Sequence, residues 1–434
     1  MPTSAMTSRE RVLASIAHQE PDRVPVDLGA MPSSGISAIA YRRLITHLGL
    51  KGHTRVYDVV QQLAQPEESI LNRYGVDVLD IGRAFNTRDD DWHAVTLLDG
   101  TPVEFPVWFR PVRQPDNVFD VFDADGERIA TMPVGATFFD QTAFPYLDGY
   151  PADYRDLPRA MRKVHWAALA NSPYDHAAEP DFWPQLRQRA LSLRAASDGS
   201  PPEGHGDFAT RFSRDRALMI GAGCNLFEWG SFLRRIDNFL MDLVLDPIEV
   251  ERLLDALMEQ HLALLEKVCQ AVGDIADLVR IGDDLGTDTG PFMSPEMYRR
   301  LFKPRHAILC RYVHEHSRMH TFLHSCGSIY RLLADLIEAG FEVINPVQTN
   351  TRDMEPQRLK KEFGRDVTFW GGGCDTRSVL NRATPAQVKA HVKRNLDILA
   401  LGGGFVFTAV HNILPDVPPG NIVAMFEAVS EFSE

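Results

Sequence analysis

Eight short apolar runs, most of them separated by stretches of helical period, restrict this sequence more than any other feature. They lie at residues 24–28, 76–82, 217–221, 277–282, 319–324, 342–347, 367–371 and 405–411. A strand that is apolar along its whole length is covered on both faces, which is how parallel strands with helical crossovers behave. Eight such strands are the number that closes a barrel. The sequence therefore predicts an α/β chain folded as a single (β/α)8 TIM barrel over residues 1–434. An open doubly wound sheet is the competing architecture.

Between those runs the helical signals are regular. Thr7 or Ser8 caps a helix to about Ala17, with Glu10 in its first turn, where its charge suits the helix dipole. Residues 57–74 carry Val60, Leu63, Ile70 and Leu71 among Glu67 and Glu68 and are predicted helical, as are 243–272 and 294–316. From 84 to 144 the period changes. Runs such as Val107-Trp108-Phe109 are broken by Asp99-Gly100 and Asp125-Gly126, dipeptides that favour tight hairpin turns, so an inserted antiparallel hairpin region is expected there. Residues 145–215 read as helix and loop, with Ser197-Asp198-Gly199-Ser200-Pro201-Pro202 on the surface.

Charge and cysteine content exclude several classes of function. Lys and Arg number 45 against 59 Asp and Glu, and the net charge of -14 argues against nucleic acid or an anionic membrane as partner. Five cysteines, an odd number spread through a large chain, fit reduced thiols and a cytoplasmic location better than a disulfide framework. The first residues lack an apolar signal core, and no run approaches the roughly 18 apolar residues of a membrane span.

A barrel places its active site at the C-terminal ends of the strands. Those ends carry Asp27, Asp80, Gly223-Cys224-Asn225, Asp283-Asp284, His324-Ser325-Cys326, Asn345 and Gln348, Gly371-Gly372-Gly373-Cys374-Asp375, and His411-Asn412. Side chains two apart on a strand point to the same side, so the His324 imidazole and the Cys326 thiol converge. With His411 from the last strand they form a set that suits zinc and leaves a fourth position for an exchangeable ligand. Cys374 can supply a second sulfur and Asp284 an oxygen, whereas Cys269 and Cys310 lie on helices and read as core. Asp283 or Asp284 is expected to orient a bound histidine or to act as general acid or base. Glu228 and Trp229 are candidates for the pocket wall. The glycines 371–373 lack the spacing of a dinucleotide loop, and Gly402-Gly403-Gly404 reads as a helix end.

Several of these stretches carry a family resemblance. Arg9-Glu10-Arg11-Val12-Leu13 with Pro21-Asp22-Arg23-Val24-Pro25-Val26 resembles the opening of the uroporphyrinogen decarboxylase superfamily. The likeness continues through Ser294-Pro295-Glu296, Gly371-Gly372-Gly373 and His411-Asn412-Ile413-Leu414-Pro415-Asp416, and is weakest over residues 84–215. It implies a TIM barrel and one of two chemistries. The decarboxylases proper hold a tetrapyrrole with an arginine-bearing loop after the first strand, and here that register reads Gly29-Ala30-Met31-Pro32-Ser33-Ser34, without the arginines. The other branch comprises zinc methyltransferases that move a methyl group to or from a corrinoid protein. Their zinc is held by a His-x-Cys, which His324-Ser325-Cys326 resembles, and by a later cysteine, whose register here is His411.

The resemblance thus implies a zinc-dependent, corrinoid-linked methyltransferase of the demethylase type, acting on a small methylated compound. Replacing a thiolate by His411 makes the metal more Lewis-acidic and favours oxygen or nitrogen substrates over thiols. No corrinoid-binding D-x-H-x-x-G motif occurs in the chain, so the corrinoid (cobalamin) is expected on a separate partner protein. Two alternatives stay open at this point: a metal-independent decarboxylase, and a tetrapyrrole or corrinoid binding protein without turnover.

Overall fold

The computed structural model describes residues 6–164, 179–195 and 215–433. Its centre is a curled sheet of seven parallel strands: β1 (Val78–Asp80), β2 (Ala217–Gly221), β3 (Leu278–Gly282), β4 (His320–His324), β5 (Val343–Asn345), β6 (Thr368–Trp370) and β7 (Phe405–Val406). Each strand pairs with the next in sequence. Helices occupy the connections from β2 onward, among them Phe227–Arg234, Pro247–Val272, Lys303–His316, Pro356–Phe363 and Pro385–Leu399, with Pro419–Phe432 after β7. Parallel strands need such long crossovers, and the result is a TIM-barrel-like fold.

The first apolar run links the two edges of this sheet. Val26 bridges in parallel to Val76 on one side and Phe407 on the other. Asp27 N–H donates to the Phe407 carbonyl at 2.8 Å, Phe407 N–H to the Pro25 carbonyl at 2.8 Å, and Asp77 N–H to the Val26 carbonyl at 2.8 Å. The strand expected over residues 24–28 is therefore a bridge centred on Val26, because Pro25 has no N–H to give to a ladder.

Inside the sheet the inward side chains of alternate positions, Val78, Met219, Leu278, Phe322, Val343, Trp370 and Val406, pack with Val12 and Ile16 of the helix Ser8–Ile16. This floor closes the N-terminal end. The charged residues of the opening motif hold it in place. Asp77, fully buried, receives Arg11 at 2.9 Å and Arg23 at 2.7 Å, and Arg11 also pairs with Asp22 at 2.6 Å.

Several predicted helices are corrected. Residues 57–74 are helical only over Glu68–Arg73; before that, Val56–Asp58 pairs antiparallel with Leu63–Ala64, which pairs with Ile36–Ser37. The Asp58 carboxylate accepts Gln61 N–H at 3.0 Å, Gln62 takes φ 51°, and Pro66 follows, so the apolar spacing is overridden by turn chemistry. The 243–272 helix is broken at Asp246, which caps Pro247–Val272 by accepting Glu249 N–H. The 294–316 helix divides into Pro295–Leu301 and Lys303–His316.

Between β1 and β2 the described residues contain antiparallel pairs. Trp92–Thr96 pairs with Pro102–Pro106, and Val112–Arg113, Phe119–Phe122, Arg128–Met132 and Asp140–Gln141 form a second sheet. Val107-Trp108-Phe109 lies beyond the strand that ends at Pro106. Of the 145–215 region, Leu157–Val164 and Phe182–Ala195 are helical, and the Ser197–Pro202 stretch lies outside the described residues. Among the described residues no helix is long and apolar enough to cross a membrane.

Candidate metal centre

The C-terminal end of β4 runs on into Ser325-Cys326-Gly327 and is fixed from three sides. Ser325 N–H donates to the Asn345 carbonyl at 2.6 Å, Cys326 N–H to Asp284 Oδ1 at 2.8 Å, and Gly327 N–H to Gln348 Oε1 at 2.6 Å. Gly327 takes φ +87°, a left-handed conformation, and a Cβ there would stand 2.3 Å from the Gly286 carbonyl carbon. Only glycine allows the loops after β3 and β4 to lie backbone against backbone.

This loop presents His324 and Cys326 on one side, and the segment after β7 brings His411 to meet them. One ligand atom from each of the three lies within 4.8 Å of the other two. His324 Nε2 stands 3.5 Å from Cys326 Sγ, and the two imidazole rings are 6.1 Å apart. Among the described residues no other group of three metal-competent side chains converges in this way.

Both histidines are held in the tautomer that a metal ligand needs. His324 Nδ1 lies 2.8 Å from Asn345 Oδ1, and His411 Nδ1 lies 3.0 Å from Asn412 Oδ1. Each carboxamide is oriented in turn, because Asn345 Nδ2 donates to the Trp370 carbonyl at 2.9 Å and Asn412 Nδ2 to Gln61 Oε1 at 2.8 Å. A carboxamide oxygen can only accept, so each Nδ1 carries the proton and each Nε2 keeps its lone pair. Burial lowers the pKa of both imidazoles, which keeps them neutral and ready to donate that pair. Burial first, then the charge of Asp284, pushes the Cys326 thiol well up. A cation at this position would reverse that balance and take the thiol as thiolate.

The remaining predicted residues divide by position. Asp284 Oδ1 is 3.5 Å from His324 Nε2, at the edge of the cluster. Asp283 points the other way. Its Oδ1 accepts Glu228 N–H at 2.9 Å and its Oδ2 pairs with buried His306 at 3.1 Å, so both oxygens serve helix attachment. Glu228 Oε2 accepts from Asn225 Nδ2 at 2.6 Å, and burial together with Asp284 and Asp283 pushes its carboxyl well above the ordinary range. The Trp229 indole donates to the Gly223 carbonyl at 3.1 Å and is core. Cys374 and Cys224 are buried and outside the three-residue group.

Asp27 accepts from the Trp370 indole at 2.9 Å, and burial raises it to about 6; burial raises Asp80 to about 6 as well. The glycines 371–373 serve close packing, since a Cβ on Gly373 would lie 2.2 Å from the Phe407 ring and one on Gly372 2.9 Å from Val347. Sequence reasoning placed Asn345 and Asn412 at strand ends without a task, and it missed His306. Nothing in the spacing of residues 283 and 306 announces that pair.

His324, Cys326 and His411 fall within a segment, residues 222–432, that matches the sequence model of the family Uroporphyrinogen decarboxylase (URO-D). Among solved structures the chain is similar to a "methyltransferase from Methanosarcina mazei", with a TM-score of 0.55 and 18% sequence identity, covering 99% of this chain and 100% of that one. No curated protein sequence matches it. Through that segment, in which the whole His324, Cys326 and His411 cluster lies, the chain is similar to the uroporphyrinogen decarboxylase family.

Proposed function

We propose that this protein is a zinc-dependent methyltransferase that moves a methyl group between a small methylated compound and a corrinoid carried by a separate protein. The observation that carries the reading is the donor set. Two neutral imidazoles with their Nδ1 protons pinned, and one thiol, bring their ligand atoms within 4.8 Å of one another. A mixed nitrogen and sulfur set of three fits zinc with a position left for substrate. The family match over residues 222–432 and the likeness in fold to a protein named as a methyltransferase support the same reading.

His324, Cys326 and His411 would hold the ion, whose chemistry here is to polarise the heteroatom that carries or receives the methyl group. The chain's own residues do the rest. Asn345 and Asn412 fix the two rings, and Asp284 braces the Cys326 backbone. In the demethylating direction the heteroatom keeps the bonding pair and needs a proton. Glu228, whose carboxyl is pushed well above the ordinary range by burial and by the neighbouring Asp284 and Asp283, is placed to supply it.

Metal analysis of purified wild type beside Cys326→Ser and His411→Ala tests the reading. The wild type should hold about one zinc per chain and both variants should lose it. Equal metal in all three proteins removes the proposal.

A further inference from the structure

Arg280 is a cation in the middle of an apolar strand. Leu278, two residues earlier on the same face, packs in the barrel floor, so the Arg280 side chain also rises inside the barrel. Its neighbour on β2 is Gly221, and a Cβ added there would lie 3.0 Å from an Arg280 guanidinium nitrogen. The missing side chain is the space in which the guanidinium rests.

The charge of Arg280 acts on His324 and Glu228 on one side and on Tyr57, Asp58 and Asp80 on the other. On the inward face of the sheet Arg280 also lies between Asp80 of β1 and His324 of β4, and so between the three candidate ligands and the cleft lined by Tyr57, Asp80, Trp92 and Trp108. Among the described residues its guanidinium donates no hydrogen bond and forms no ion pair. The nearby acids are engaged elsewhere, Asp58 with Gln61 N–H at 3.0 Å and Asp80 with Gly82 N–H. The Tyr57 hydroxyl, buried beside it, also has no partner among the described residues. Two unused donors in one barrel mouth call for an acceptor. The guanidinium stands part-exposed in that mouth, and its fork is open to an oxyanion.

We infer that Arg280, assisted by the Tyr57 hydroxyl, anchors a carboxylate on the small molecule that this site acts on. The fork of the guanidinium matches a planar carboxylate, and a single cation suits a monoanion better than a phosphate. The inference rests on the methyltransferase reading for what happens at the other end of that molecule: with the carboxylate on Arg280, the methylated atom is directed to His324, Cys326 and His411. Arg280 is then a specificity-determining residue.

Calorimetric titration of the zinc-loaded protein with acetate and benzoate, each beside its uncharged amide, tests the anchor. At least one carboxylate should bind about tenfold or more tighter than its amide. That preference should vanish in Arg280→Met, fall partway in Arg280→Lys, which keeps charge without the fork, and weaken in Tyr57→Phe. If Arg280→Met does not fold, the other two variants carry the test. Wild type that does not prefer either carboxylate, or a preference that survives the Arg280 substitutions, overturns the inference. The titration needs no methyl acceptor, so loss of the preference removes the anchor alone. A preference that persists in protein with no methyl transfer removes the catalytic reading alone.

Discussion

Asn345 Oδ1 accepts a hydrogen bond from His324 Nδ1 at 2.8 Å while the other end of the same carboxamide donates to the Trp370 carbonyl at 2.9 Å. The tautomer of a metal-competent histidine on β4 is therefore dictated by a backbone carbonyl on β6, relayed through β5. Replacing Asn345 by Ala removes the relay and leaves the ring free to turn or to carry its proton on Nε2. Zinc affinity, measured by competition with a chromophoric chelator, should fall about 10–100-fold. An unchanged affinity would mean that the relay does not set the ring.

Adjacent aspartates at the end of β3 are expected to behave differently. Asp283→Ala strips the acceptor from Glu228 N–H and from His306, both in the interior, and should cost about 3 kcal/mol in stability. Its zinc content should stay near that of wild type. Asp284, with a side chain 38% exposed, braces the Cys326 N–H and faces His324, so Asp284→Ala should weaken zinc binding and leave the denaturation midpoint nearly in place. Urea titration and metal analysis of the two variants check the contrast, and the reverse pattern would exchange their roles.

How much of this was written in the sequence follows from the range of the interactions. The parallel strands were legible because both faces of each are buried, so apolarity runs unbroken through Leu278-Val279 or Val343-Ile344. His324 and Cys326 were legible because a strand's period of two joins them without any tertiary information. Residues 57–74 were misread because Val60 and Leu63 satisfy a helical template, while the Asp58 turn and the left-handed Gln62 decide the outcome. The tasks of Asn345 and Asn412 were hidden because the groups that turn their carboxamides, the Trp370 carbonyl and Gln61, are distant in sequence. Arg280 did leave a signal, a lone cation within an apolar strand, whose meaning needed Gly221 beside it.

At the opposite end of β4 a charge cluster gives stability a pH dependence. Glu342 receives His320 Nδ1 at 2.8 Å, His314 Nε2 at 3.0 Å and Thr321 N–H at 2.9 Å. Burial opposes its charge, but the hydrogen bonds from His314 and His320 outweigh that and hold the carboxyl far below its ordinary 4.5. The bond to Glu342 raises His314 above its ordinary 6.5. The carboxylate's contribution is present above its unfolded pKa and lost as pH falls through the folded value. That of His314 is present below 6.5 and lost as pH rises through its raised value. Glu342→Gln should therefore cost most at about pH 5–6, by no more than about 1 kcal/mol because the partners are partly exposed. Urea midpoints should converge by about pH 9 as His314 loses its proton. A gap that is constant across that range would assign the effect to packing.

Gly327 and Gly126 share a left-handed conformation, at φ +87° and +81°, and differ in what surrounds them. Around Gly126 a Cβ would meet nothing within 4 Å, whereas at Gly327 it would enter the backbone of Gly286 at 2.3 Å. Alanine at residue 126 should cost only the conformational term, about 1 kcal/mol. Alanine at 327 must add displacement of one loop from the other, and the atoms in the way are main chain, which cannot rotate aside. Because Cys326 N–H and the Gly286 N–H bond to Cys326 both cross that contact, the thiol should move with it. Gly327→Ala is thus expected to lose about 3 kcal/mol or more and to bind zinc less tightly, with Gly126→Ala normal in metal content. Thermal melts and metal analysis of the pair decide the matter: equal losses in both would show that the approach of the two loops contributes nothing to holding Cys326 in place.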